Sequence, residues 1–182
     1  AHEAEHRQPH LPGGRVVNVM ERALQATPLW PQIHVGRELF YELRAAPREF
    51  RGLRDLGVRR AGVNDAAALC SVDESDPALV QARFARGDLA FLGEHQGRVL
   101  AHVWFQRGPG LFVEDEPDYP AWQIPLGAFW SYHAATRIEA RASGVFVKVF
   151  QVALRTLFVE EGAAVVQCLG KTANLASRTM HE

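Results

Sequence analysis

Three patterns in the sequence predict an α/β domain. A β-hairpin pattern runs from Leu89 to Phe105. A long one-sided apolar helix begins at Val145, and buried-strand patterns at Ala128–Thr136 and Ala164–Leu169 flank it. The 182 residues are enough for one domain with a sizeable core plus an extension. Apolar residues make up 47% and charged residues 23%, the balance of a globular chain. The formal net charge of −1 gives no electrostatic pull towards nucleic acid or an anionic membrane. No apolar run reaches the roughly 18 residues of a spanning helix. The N-terminus lacks an apolar signal core and begins at Ala1, as it would after removal of a leader or tag. A cytoplasmic protein is expected, with Cys70 and Cys168 as reduced core residues.

The elements follow in order. Residues 1–14 read as a flexible tail ending in Pro12-Gly13-Gly14. Val16, Val17, Met20 and Leu24 recur at helical spacing, so a short helix is expected over Arg15–Ala26, ended by Pro28 and Pro31. Glu38–Arg44 alternates as a strand would, with a helix as the other reading. Pro47–Gly57 is a charged connection, and Gly57-Val-Arg-Arg starts a strand. Asn64 is the expected cap of a helix through Ala67, Ala68 and Val72. Asp76-Pro77 and Gly87 bracket a second helix, as N-cap, first-turn proline and C-cap. The hairpin turns at His95-Gln-Gly. Residues 107–125 read as a long insertion. In the helix after Gly144, Val145, Phe146, Val149, Phe150, Ala153, Leu154, Leu157 and Phe158 fill one stripe, and Gly162 ends it. Asn174 opens a last helix.

The strand–turn–helix passage through Arg141-Ala142-Ser143-Gly144-Val145-Phe146 carries the clearest chemistry. A glycine at such a turn lets backbone approach a ligand. The first turn of the helix offers free N–H groups and the positive end of the helix dipole, which together make an anion site. Arg141, Lys148 and Arg137 add positive charge. The plainer reading is a tight turn beside solvated arginines.

The order of elements, with Arg141-x-x-Gly144-x-Phe146 and later Asn174-x-x-Ser177, resembles the GNAT acyltransferase family over about 125 residues. Phe146 stands where the family has a small residue. The resemblance implies a mixed, mostly antiparallel central sheet flanked by helices. Residues 58–182 would form the acyl-CoA-binding domain and residues 1–57 a small N-terminal extension. It implies acetyl-CoA or another acyl-CoA as co-substrate, no metal, and a small-molecule or peptide amine as acceptor. A homodimer is compatible with it. The central strand would splay and offer the backbone of Ala134, Ala135 and Thr136 to the pantetheine arm. The N–H groups from Ala142 to Phe146 would hold the pyrophosphate. Asn174 and Ser177 would lie by the pantetheine. A strand N–H would polarise the thioester carbonyl, and the amine would attack directly. His181 stands where the family commonly has a tyrosine acid; a surface helix residue is the other reading. Tyr132 and His133 are the candidate base, with a buried, hydrogen-bonded histidine as the alternative for His133.

The resemblance also expects two strands beyond Glu182. Without them Val165–Leu169 would be a bare apolar edge, so further residues or a strand from another chain are expected to cover it. The run Glu114-Asp-Glu-Pro-Asp118 with Tyr119 and Trp122 is either a solvated loop or a selector of cationic amines. Trp30, Trp104 and Trp130 read as packing residues. His2-Glu3-Ala-Glu-His6 spells the zincin pattern but has no apolar face to bury, so a metalloprotease is set aside. A non-catalytic acyl-CoA-binding module is the alternative to an enzyme.

Overall fold

The computed structural model describes residues 38–47, 53, 55–112 and 121–171. They form β1 (Glu38–Leu43), β2 (Gly57–Arg60), α1 (Ala66–Asp73), α2 (Pro77–Arg86), β3 (Leu89–His95), β4 (Arg98–Arg107), β5 (Gly110–Phe112), β6 (Trp122–Ile124), β7 (Ala128–Thr136), α3 (Val145–Val159) and β8 (Val165–Lys171). Residue contacts separate a larger unit, Glu42–Cys168, from a smaller one made of Ala1–Tyr41 and Leu169–Glu182. The larger unit holds the core. Only residues 38–41 and 169–171 of the smaller unit are described, as ends of β1 and β8. The expected tail, the helix at Arg15–Ala26 and the helix opened by Asn174 lie outside the described residues.

Six strands form one mixed sheet in the order β1-β8-β7-β4-β3-β2. β2, β3, β4 and β7 run antiparallel in turn, and β8 is parallel to β7. A parallel pair needs a crossover, and α3 supplies it. The β3–β4 turn holds Gln96 at φ 51° and Gly97 at φ 74°, positive at both central positions as a type I′ turn requires. On β4, Trp104 lies 4.8 Å from Phe84 of α2, while Phe105 lies 6.1 Å from Phe150 of α3. Successive strand residues face opposite sides, so α2 covers one face of the sheet and α3 the other. α1 packs beside α2 against β4 and β7.

The stripe on α3 buries Val145, Val149, Phe150, Ala153, Leu154 and Leu157. Each fully buried Leu or Phe contributes about 1.5–3 kcal/mol. Phe146 and Phe158, at the margins of the stripe, are half-buried. The caps of α2 are as expected: the Ala78 N–H donates to Asp76 Oδ1 at 2.8 Å, Pro77 is first in the helix, and Gly87 closes it at φ 87°. Trp104 and Trp130 are core residues, 0% and 1% exposed.

Four expectations change. Asn64 is not the cap; it lies in a 3-10 turn, Val63–Asp65, ahead of α1. Asp65 holds that turn, accepting from the Gly62 N–H at 2.8 Å and from both terminal nitrogens of Arg59. A carboxylate that bonds backbone and guanidinium together displaces a neutral amide cap. The insertion at 107–125 is not structureless, because β5 and β6 pair at its two ends as a separate ribbon. The edge of β8 is not bare, because β1 lies beside it in the sheet, and Gln167 Nε2 donates to Glu42 Oε1 at 2.9 Å. Finally, Cys168 is buried as expected, but Cys70 is only half-buried; neither is in a disulfide.

Gly93 lets β3 approach α3 closely. A Cβ there would stand 2.5 Å from Val149 Cγ2, inside any real contact. Gly93→Ala should therefore destabilise the fold by about 1–3 kcal/mol in urea unfolding. Combined with Val149→Ala it should cost less than the two single changes summed. Burial pushes the Cys168 thiol up to about 12. Alkylation at pH 8, read by mass spectrometry, should spare Cys168 in the folded chain and modify it only after unfolding.

Candidate active site

The site begins with a surplus residue in the central strand. β4 and β7 pair Val103 with Ala134 but Trp104 with Tyr132, so His133 is bulged out of the ladder at φ 30°. On its other side β7 pairs with β8 from Ala128↔Val165 to Ser131↔Cys168. Beyond Ser131, β7 continues to Thr136 paired with β4. Ala134 is exposed there, and Ala135 and Thr136 are half-buried.

The strand then runs into a tight loop that is anchored from behind. The Arg137 N–H donates to Leu100 O at 2.9 Å, its Nε to Val99 O at 2.7 Å, and a terminal nitrogen to Ser71 Oγ at 2.6 Å. Arg137 is thus a loop tether rather than a spare positive charge. Arg98 and Glu139 pair across the same loop at 2.7 Å. Ser143 turns inward, its hydroxyl donating to Ala140 O at 2.6 Å. Ala142 and Gly144 take the left-handed conformation, at φ 60° and 83°. Gly144 is the N-cap of α3, and no side chain caps that helix. Among the described residues, the N–H groups of Ala142, Gly144, Val145, Phe146 and Val147 find no acceptor. Arg141 stays exposed, with Nε 3.3 Å from Thr136 O. Phe146 stacks on Phe150 with centroids 5.7 Å apart, which carries its ring along the helix. A helix of four turns with unused N–H groups and no cap is suited to an anion.

At the bulge the polar groups converge. His133 Nε2 lies 2.6 Å from Asp73 Oδ2, at the last residue of α1. Ser75 donates to Asp73 Oδ1 through its hydroxyl at 2.7 Å and its N–H at 3.1 Å. The His102 ring lies beneath, stacked on His133 at 5.6 Å, its Nε2 3.4 Å from Asp73 Oδ2 but not aligned as a hydrogen bond. Burial works against the Asp73 charge, yet its contacts with His102, His133 and Ser75 outweigh this and hold the carboxyl well below the usual carboxylate range. Burial lowers the His102 pKa more than Asp73 raises it, so that ring is neutral at pH 7. An ionised Asp73 can only accept, so the shared proton sits on His133 Nε2 and the basic nitrogen is Nδ1.

Tyr132 faces elsewhere. Its hydroxyl donates to the buried Asp88 carboxylate, which also takes two nitrogens of Arg86. Burial, then the Asp88 charge, raises the phenol well above its ordinary range. Tyr132 therefore anchors the strand to the end of α2 and is no ready base. Trp122 is not an open cation platform either: it stacks on Trp130 at 5.2 Å, and its indole N–H donates to Gln167 at 3.3 Å. Asn174, Ser177, His181, the acidic residues 114–118 and the His2–His6 pattern lie outside the described residues. Sequence reasoning passed over Asp73, Ser75 and His102. His102 was findable, as a titratable residue on an inward position of an otherwise apolar strand.

No protein-family model and no curated protein sequence matches the chain. Solved structures do. A GNAT family acetyltransferase from Brucella melitensis, in complex with acetyl-CoA, aligns with a TM-score of 0.51 at 18% identity, covering 68% of this chain and 80% of that one. The ribosomal-protein-S18-alanine N-acetyltransferase from Escherichia coli gives 0.53 at 11% identity, over 69% and 73%. A diaminobutyrate acetyltransferase from Paenibacillus lautus, with its substrate and coenzyme A, gives 0.50 at 16% identity, over 69% and 71%. At these identities it is the architecture that is shared: the chain has the fold of the GNAT acetyltransferases.

Proposed function

We propose that the chain transfers an acyl group from an acyl-CoA to an amine acceptor by direct attack. One observation carries the reading: β7, bulged at His133, leads straight into an uncapped helix N-terminus. That juxtaposition suits a ligand with an amide-bearing arm and a pyrophosphate. In this reading the backbone of Ala134, Ala135 and Thr136 binds the arm. The N–H groups of Ala142, Gly144, Val145 and Phe146 hold the pyrophosphate, with Arg141 and Lys148 adding charge. Asn174 and Ser177 enter from the sequence alone, as further contacts to the arm.

The acceptor side belongs to the bulge. Asp73 fixes the His133 ring, and Nδ1 takes the proton that the amine loses. The amine nitrogen bonds to the acyl carbon as the carbon–sulfur bond breaks. His181, again from the sequence, returns a proton to the departing thiolate. Positioning supplies most of the rate, and no covalent bond to the protein is needed. The diaminobutyrate enzyme was solved with its amine substrate, and an aminoglycoside acetyltransferase of similar fold was solved with sisomicin. A small amine is therefore the acceptor class we favour.

Thermal unfolding with acetyl-CoA and longer acyl-CoAs should show stabilisation, about 2.7 kcal/mol at a hundred times the Kd. No stabilisation by any of them would sink the ligand assignment. Thiol release in a panel of amines should then appear. His133→Gln should lower kcat by about 10²- to 10⁴-fold with acyl-CoA stabilisation retained. Binding without thiol release would favour a non-catalytic module instead.

A further inference from the structure

We propose that Asp73, His102 and His133 form a binding site for one divalent transition-metal ion of the zinc class. The three come from α1, β4 and β7, so no spacing along the chain announces them, and the sequence reading expects no metal. Their ligand atoms all lie within 4.8 Å of one another. Two imidazoles and one carboxylate are a donor set that zinc, cobalt and iron accept.

His102 is the observation that asks for a ligand. It is 1% exposed; its Nδ1 has no hydrogen-bond partner, and its Nε2 has only a poorly aligned 3.4 Å approach to Asp73 Oδ2. Buried polar groups left unpaired are rare, and an unfilled ion or water position is one of their few explanations. Its Nε2 points at the trio, 3.4 Å from Asp73 Oδ2. Metal–ligand bonds of about 2.0–2.1 Å in a tetrahedron put ligand atoms about 3.3–3.4 Å apart, so this edge already has the required length. The two imidazoles are near parallel, 21° between planes, and both turn Nε2 towards the same carboxylate. His133 and Asp73 sit closer, at 2.6 Å, because a proton joins them. An ion would take the place of that hydrogen bond, the 2.6 Å edge opening and the two imidazoles closing on the ion, since ligand atoms on one ion stand at most about 4.1 Å apart. The site has an entrance, since the His133 and Asp73 side chains are 20% and 17% exposed. Ser75 Oγ, 3.4 Å from His133 Nε2, stands beside the side left for a water.

Occupation has one consequence that rests on the acyltransferase reading. With the ion on Nε2, the ring proton moves to Nδ1, which can no longer take a proton from an amine. The ion would therefore inhibit acyl transfer.

The full chain, stripped of metal by chelator, would be titrated with Zn²⁺ against a chromophoric chelator. Co²⁺ would serve as a second probe through its visible bands. One ion per chain is expected. His133→Gln and Asp73→Asn should each weaken binding at least about ten-fold. His2→Ala with His6→Ala should leave binding unchanged. His102→Ala is avoided because it opens the core; circular dichroism on the two site variants checks that they fold. No stoichiometric binding overturns the proposal. So does binding lost in the His2/His6 variant but kept in both site variants. Because binding is read without turnover, an inactive chain that binds zinc keeps this inference and loses the acyltransferase reading. An active chain that does not bind zinc does the reverse.

Discussion

The structure turns on one surplus residue, His133, in the strand at the centre of the sheet. A strand pair in perfect register would keep β7 bonded along its length and send His133 to a fixed face. The bulge breaks that register between Val103 and Trp104. It re-aims a side chain, bends the strand and increases its local twist. β7 pairs with β8 over Ala128–Ser131, just before it. A positive φ at a bulky histidine costs of order 1–3 kcal/mol, and such strain persists only where neighbours enforce it. Here the neighbours are visible: Tyr132 is tied to Asp88 on one side, and Asp73 grips the His133 ring.

The loop beyond the strand is built by the same logic of fixed backbone. Arg137 spends its donors on Val99, Leu100 and Ser71, so the loop is held to β4 and α1 before any ligand arrives. The N–H groups left over are those of the turn and the start of α3. For the pyrophosphate site proposed above, a loop fixed in this way would lose little entropy on binding.

Much of this was legible in the sequence, and the limits have physical causes. The ends of α2 were readable because Asp76, Pro77 and Gly87 each act through local backbone geometry. The helix after Gly144 was readable because one apolar stripe needs one face of sheet. β7 was readable to its last residue, Thr136, from its apolar run. One failure was local: Asn64 lost the cap to Asp65 because Arg59, six residues earlier in β2, pairs with that carboxylate. The others were non-local. The partnership of β1 with β8 left no local trace. The trio of Asp73, His102 and His133 is assembled by the sheet and α1 together, and each member alone reads as an ordinary residue. The bulge itself is a register effect between two strands, so β7 taken alone could not reveal it.

The position of β1 beside β8 bears on how the chain is made. Glu42 and Gln167, which bond across that pair, are 125 residues apart. At ~5–20 residues per second, a ribosome needs roughly 6–25 s to make the second after the first. Through that interval β1 exists without its sheet neighbour. Its apolar Phe40, Tyr41 and Leu43 leave it sticky for that time. Of these two strands the later one shelters the earlier, and β1 is most exposed to chaperones and to neighbouring nascent copies in the seconds before β8 leaves the tunnel.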